Sequence, residues 1–381
     1  MALFDWQPRT RVLFGAGTFG ELGAVARELK TRHTLLVCDA GIVSSGYAAA
    51  ARASLEAAGI RVSTFHDFAV NPDSTMIEAG RDAAAALDID SLVALGGGSS
   101  LDCAKGINLL LTNGGDIGDY RGYGKATKPM LPMIGVPTTA GTGSEAQSYA
   151  VIADGATHLK MACGDPKLAF RVAILDPALT WSQPASVTVA TGFDAMSHAV
   201  ESFVTAKRSP VSDMLAREAW RLIDGNLERV IARADDADAR AAMLLGAHYA
   251  GAAIEQSMLG AAHACANPLT ARYDITHGIA VSLMLPSVVR WNAEAVGARY
   301  KELLTASAAS RNGHAPSVEE FAKRLEDVRR ACGFPGSLEE AGVPSGDLES
   351  LARDAAEQWT GNFNPRRLDE AGALELYRKA F

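Results

Sequence analysis

The chain has 381 residues, 48% hydrophobic and 21% charged, with 36 Gly and 15 Pro; this balance excludes a disordered or collagen-like chain and fits about two to three globular domains. Thirty-six basic against 44 acidic side chains leave a formal net charge of −8, so nucleic acid and anionic membrane surfaces are not expected partners. The five cysteines, Cys38, Cys103, Cys163, Cys265 and Cys332, form no C-x-x-C pair, which suits free thiols in a reducing cytoplasm.

At the start of the chain, Asp5 and Arg9 interrupt any apolar run, so MALFDWQPRT does not read as a signal peptide. The run IAVSLMLPSVV at 279–289 is broken by Ser282, Pro286 and Ser287, short of the roughly 20 apolar residues that a membrane span needs. Strands are predicted at 11–14, 34–38, 61–65, 91–95, 133–137 and 172–176, with helical patterns between them at 20–30, 46–59 and 74–87. Continuous apolar strands alternating with helices indicate a parallel sheet covered on both faces. After WSQPASVT at 181–188, helical periodicity recurs at 185–205, 211–232, 238–259 and 294–310. The expected architecture is an α/β dinucleotide-binding domain, 1–184, with a Rossmann-like parallel sheet, followed by an all-α domain, 185–381.

Three glycine-rich turns compete for a phosphate. Gly15-Ala16-Gly17-Thr18-Phe19-Gly20 matches G-x-G-x-x-G, with Asp39 about 20 residues on, the pattern of a dinucleotide fingerprint. Gly96-Gly97-Gly98-Ser99-Ser100 lies between a strand and a helical run, where free N–H groups at a helix start make an anion site. Lys105 lies too far into that helix for a Walker loop. Pro137-Thr138-Thr139-Ala140-Gly141-Thr142-Gly143-Ser144-Glu145 follows another buried strand and offers hydroxyls at the carboxyl edge of the sheet, although Thr142 and Ser144 also suit a helix cap.

In the helical half, Asp194 and His198 are four apart, on one face of a helix and about one turn from each other. His263 and His277 lie in apolar, Ala-rich surroundings where an unpartnered imidazole is costly. Taken alone, each histidine reads more readily as a satisfied core residue. Together they provide one carboxylate and three imidazoles, a donor set for Fe(II), Zn(II) or a similar ion. His33, His66, His158, His248 and His314 have no carboxylate at helical spacing and read as ordinary.

GGGSSLDCAKGI at 96–107, PTTAGTGSE at 137–145, GFDAMSHAVE at 192–201, the segment from His263 to DITHGIA, Asn71-Pro72 and the ending NFNPRRLDEAGALELYRKAF together resemble the iron-containing (group III) alcohol dehydrogenases. The resemblance runs through the whole chain. It implies a cleft between the two domains holding dinucleotide, metal and substrate, with Asp194, His198, His263 and His277 as metal ligands and hence the catalytic set. It implies Asp39 at the adenosine ribose, and Gly97, Gly98 and Ser99 at the pyrophosphate. Thr138, Thr139, Lys160 and Leu179 would meet other parts of the dinucleotide, with Asn71, Gln147 and Tyr149 nearby. The turn at 15–20 would belong to a β-hairpin and helix outside the phosphate cradle. Two departures stand out: Asn267, where many members carry a histidine proposed as a proton relay, and Ala146-Gln147 in place of Val-Thr. An amide cannot titrate, so that relay is absent or replaced.

The expected activity is metal-dependent hydride transfer between nicotinamide C4 and a small primary alcohol or aldehyde. NAD(H) is expected over NADP(H), because the Asp39 carboxylate would repel a 2′-phosphate, and Fe(II) ahead of Zn(II). Alternatives are a dehydroquinate-synthase-like lyase using NAD and metal, a metal-free reductase of the maleylacetate type, and a nucleotide-binding regulatory module without catalysis. A homodimer or larger oligomer is the family-level expectation.

Overall fold

The computed structural model describes residues 6–157, 160–306 and 316–381. The reading of the first five residues, His158, His314 and the end of the 294–310 helical pattern lie outside them. The chain divides into two compact units: one comprises Gln7–Thr139 and Ser144–Gln183, the other chiefly Pro184–Phe381 together with Ala140–Gly143.

The first unit is built on strands β1 (Arg11–Phe14), β2 (His33–Val37), β3 (Arg61–Phe65), β4 (Ser91–Gly96), β5 (Gly122–Tyr123), β6 (Met133–Pro137), β7 (Tyr149–Ala153), β8 (Lys160–Gly164) and β9 (Val172–Leu175). Helices α1 (Leu22–Glu28), α2 (Ala40–Ser44), α3 (Tyr47–Ala57), α4 (Ser74–Ala85) and α5 (Gly98–Asn113) connect them. Six strands form an all-parallel sheet in the order β1-β9-β6-β4-β2-β3. All six predicted strands are its members. Successive residues of a strand point to opposite faces, so Leu35, Val37, Leu92 and Ala94 enter one core layer with Ile77, Leu101 and Ile107 of α4 and α5. Leu36, Cys38, Val93 and Leu95 enter another, with Leu22, Val25, Ala51 and Leu55 of α1 and α3. Burial on both faces is why these strands read as unbroken apolar runs.

A second sheet, β5-β8-β7, has an antiparallel β7–β8 pair that the sequence reading did not anticipate. Tyr149, Val151 and Ile152 favour a strand, whereas KMACG is weak in intrinsic β-preference. β7 is held from outside: Val151 N–H donates to the Asp102 carboxylate, and Lys105 Nζ to Tyr149 O. The implied hairpin at 15–20 is corrected. β1 runs parallel to β9 at the sheet edge, and the turn after it enters a 3₁₀ segment, Thr18–Glu21, whose Phe19 N–H is taken by Asp176.

The second unit contains α6 (Ala185–Val204), α7 (Pro210–Ile223), α8 (Asn226–Ala232), α9 (Ala237–Glu255), α10 (Ala261–Tyr273), α11 (His277–Trp291), α12 (Ala293–Ala306), α13 (Val318–Ala331), α14 (Leu348–Ala356) and α15 (Glu370–Ala380). The pattern at 211–232 resolves into two helices because Gly225 turns the chain with φ 82°. From Gly192 to Val204 every residue of α6 is buried, as in a helix surrounded by others. Gly143 and Gly251 cross so closely that a Cβ on Gly251 would lie 2.5 Å from Gly143 O. Among the described residues no helix is long and apolar enough to cross a membrane.

Candidate metal centre

Asp194, His198 and Glu201 follow one another at four- and three-residue spacing on α6, so one stripe of this helix is polar while Phe193, Met196, Val200 and Phe203 join the helical core. α10 presents His263 in its first turn. Asp274, in the left-handed region with φ 53°, turns the chain into α11, which starts at His277. Gly278 presses against α6: a Cβ there would lie 2.0 Å from Ala190 O. Only glycine permits that approach, and it delivers His277 beside Asp194.

The result is a convergent site. Asp194 Oδ1 lies 3.3 Å from His198 Nε2, 3.5 Å from His263 Nε2 and 3.8 Å from His277 Nε2. The ligand atoms of Asp194, His263 and His277 all fall within 4.8 Å of one another. Asp194 Oδ1 and His263 Nε2 are buried without a hydrogen-bond partner, a costly arrangement for polar atoms unless something else satisfies them. Three imidazole nitrogens and a carboxylate fit a divalent ion of the iron or zinc type. Asp194, His198 and His263 side chains are 8%, 7% and 4% exposed, whereas His277 is 27% exposed, so the site opens on the His277 side.

Electrostatics follow from this crowding in the metal-free protein. Burial raises the Asp194 pKa, but His198, His263 and His277 outweigh it and hold the carboxyl well below its usual range. Burial lowers the His198 pKa against the opposing pull of Asp194, with a net downward shift. For His263 burial also works downward, yet Glu201 and Asp194 prevail and raise it from 6.5 to about 9. The charged His263 therefore stabilises the metal-free fold fully below about pH 6.5, and that contribution disappears as pH rises through 9. Asp194 contributes above pH 3.8 and loses this as pH falls further. Thermal melts of chelator-treated protein should show the alkaline decline, and His263→Asn should remove it.

Of the dinucleotide candidates, Asp39, Gly97, Gly98, Ser99, Thr138 and Thr139 lie at the carboxyl ends of neighbouring strands β2, β4 and β6. Gly97 starts α5 with no side-chain cap, leaving first-turn N–H groups for an anion. Ser99 Oγ accepts from Asn71 N–H, Asn71 being left-handed with φ 56°. Thr138 N–H donates to Gly96 O, and a Cβ on Gly97 would lie 3.1 Å from Thr139 Cγ2. Asp39 has structural duties that the sequence reading missed: it caps α2 through Ile42 N–H and accepts from Ser100 Oγ at 3.0 Å. Tyr149 and Lys160 occupy opposite ends of the β7–β8 ladder, Ala153 beside Lys160 bridging back to Asp73. Leu179 is buried in the core layer with Leu36, Cys38 and Leu95. Gln147 O accepts from Lys105 Nζ. Lys105, wholly buried, also reaches Ser144 O and Oγ and Tyr149 O. Its burial amid a Gly- and Ser-rich turn left no sequence signal for this clasp. One turn beyond His263, Asn267 donates to Gln358 Oε1 at 3.0 Å.

The profile of the iron-containing alcohol dehydrogenases matches residues 8–177, and that of the C-terminal part of the same family matches 188–381. The chain belongs to the iron-containing alcohol dehydrogenase family. It is 36% identical to the NAD-dependent methanol dehydrogenase of Bacillus methanolicus, over 93% of each chain. With the lactaldehyde reductase of Escherichia coli K12 it shares 32% identity over 95% of this chain and 96% of that one. A solved 1,3-propanediol oxidoreductase superposes with a TM-score of 0.95 at 32% identity, covering all of both chains. The enzyme is an alcohol dehydrogenase or aldehyde reductase of this family, and the lyase and regulatory-module readings are not favoured.

Proposed function

We propose that the enzyme transfers hydride between C4 of NAD(H) and the carbon of a small primary alcohol or aldehyde, with Asp194, His198, His263 and His277 holding a divalent metal, iron ahead of zinc. The convergence of three Nε2 atoms on one buried carboxylate oxygen carries this reading. When bound, the ion supplies Lewis acidity that polarises a carbonyl oxygen and acidifies an alcohol, and the dinucleotide supplies the hydride. The chain's own contribution is positional. α6, α10 and α11 fix the four donors in apolar surroundings that exclude water, and the more exposed His277 edge leaves access for substrate. Asn267, tied to Gln358, cannot titrate, so the substrate proton comes from solvent or a ribose hydroxyl.

For the dinucleotide, the uncapped start of α5 with Gly97, Gly98 and Ser99 cradles the pyrophosphate, and Asn71, Thr138, Thr139, Gln147, Tyr149, Lys160 and Leu179 contribute around it. Asp39 selects NAD(H) by repelling a 2′-phosphate. Asp39→Gly should narrow or reverse the NADH-to-NADPH preference in kcat/KM, at a cost of a few tenths to 1 kcal/mol for the lost α2 cap; an unchanged ratio refutes the assignment. We place the functional boundary at residue 184, where the second compact unit begins, and we expect a cytoplasmic homodimer or larger homo-oligomer, checked by light scattering. An NADH-linked screen of small aldehydes on protein reconstituted with Fe(II) or Zn(II) tests the activity. Turnover should require metal, and the absence of net NADH consumption with every aldehyde screened would sink the proposal.

A further inference from the structure

The buried carboxylate of Glu201 has no part in the ligand set, yet it contacts it. Glu201 is 3% exposed, and among the described residues no Lys or Arg pairs with it. Its two oxygens have separate tasks. Oε1 accepts from the backbone N–H of Ala262 at 2.7 Å, and Oε2 meets Nδ1 of His263 at 2.5 Å. The first contact replaces a cap that α10 cannot provide for itself, because its N-cap is Gly260. A Cβ on Gly260 would lie 3.0 Å from Glu201 Oε1 and from Asn364 Oδ1, the acceptor of the neighbouring Ala261 N–H.

The second contact sets a tautomer. An ionised carboxylate only accepts, so His263 must present Nδ1–H to it. With a metal bound, the Nε2 lone pair would then be free for the ion, on the side of Asp194 Oδ1, which lies 3.5 Å from Nε2. We propose that Glu201 is a positioning residue for the metal centre, holding His263 in the Nδ1–H tautomer and fixing its ring through the first turn of α10. This rests on the metal-ligand reading above.

Glutamine distinguishes the two tasks. With Oε1 retained toward Ala262 N–H, its amide NH₂ faces His263 Nδ1 and favours the opposite tautomer, whose Nε2–H occupies the direction of the metal. Glu201→Gln should keep the α10 cap while spoiling the ligand.

The test titrates stripped wild-type, Glu201→Gln, Glu201→Asp and His277→Ala proteins with Co(II) against a chelator, reading the visible d–d absorption, and follows the thermal melt of each stripped protein. Glu201→Gln should bind Co(II) about 10 to 100 times more weakly, with an altered d–d band, in addition to the stability that its stripped form loses with the buried Glu201–His263 pair. Glu201→Asp, which keeps the charge but shortens the reach, should recover part of the affinity. Wild-type affinity and band in Glu201→Gln overturn the proposal, as does a lowered melt with both unchanged, which marks a cap and nothing more. If Glu201→Gln does not fold, Glu201→Asp decides by the same readouts, wild-type affinity and band again overturning it. A wild-type protein that binds Co(II) no better than His277→Ala overturns the ligand reading and this proposal with it, whereas failure confined to the Glu201 variants overturns only the latter.

Discussion

Asp194→Asn should lower kcat/KM for aldehyde reduction by about three orders of magnitude and leave the purified enzyme with little bound metal. All three Nε2 atoms approach Asp194 Oδ1, at 3.3 to 3.8 Å. Asparagine keeps the shape of the side chain but removes the charge that balances a divalent ion. Lewis-acid catalysis is worth several kcal/mol, and each 1.36 kcal/mol is tenfold in rate, which gives the expected size. Metal analysis after gel filtration and steady-state kinetics check it together. Retained metal with undiminished turnover would remove Asp194 from the ligand set. Chelator treatment of the wild-type enzyme should reproduce the loss, and added Fe(II) or Zn(II) should reverse it.

Lys105→Met should destabilise the sheet unit strongly, by about 3 to 5 kcal/mol, because it removes a buried cation from the four oxygens that accept from it. The Nζ contacts lie between 2.6 and 2.9 Å and tie Ser144, Gln147 and Tyr149 to α5. Ser144 Oγ in turn donates to Asp102, a carboxylate whose pKa burial raises against the opposing effect of Lys105. Methionine conserves volume, so packing loss is minor and the polar loss dominates. The urea midpoint of the variant should fall, and KM for NADH should rise as Gln147 and Tyr149 shift, while metal content stays near wild type. An unchanged urea midpoint would show that the clasp contributes no net stability.

Much of the scaffold was legible because its causes are local. Strands such as SLVAL and MIGVP declare themselves through apolar continuity, since both faces of the sheet are covered. The pair β7 and β8 was missed although YAVIA favours a strand, because KMACG does not, and the contacts that tie β7 to Asp102 and Lys105 on α5 span sequence separations no periodicity reports. The hairpin expected around 15–20 was wrong for a related reason. β1 finds its partner in β9, more than 150 residues later.

At the metal centre, the Asp194 and His198 spacing was readable as one helical face, and the apolar setting of His263 and His277 marked them as histidines in need of partners. Glu201 was passed over, although it continues the same stripe of α6, because its role appears only once α10 is laid across that helix.

The sequence by itself determined the six strands of the parallel sheet, the four metal-ligand candidates and the glycine-rich turn that opens α5, because helical spacing, apolar runs and N-terminal N–H groups are properties of short segments. Tertiary structure decided what those segments meet. The contact of Gly278 with Ala190, the crossing of Gly143 and Gly251 and the reach of Glu201 to α10 are close approaches between distant residues. The first and last of these bring His277 and His263 to Asp194, and the free energy of that convergence resides in packing that no local pattern encodes.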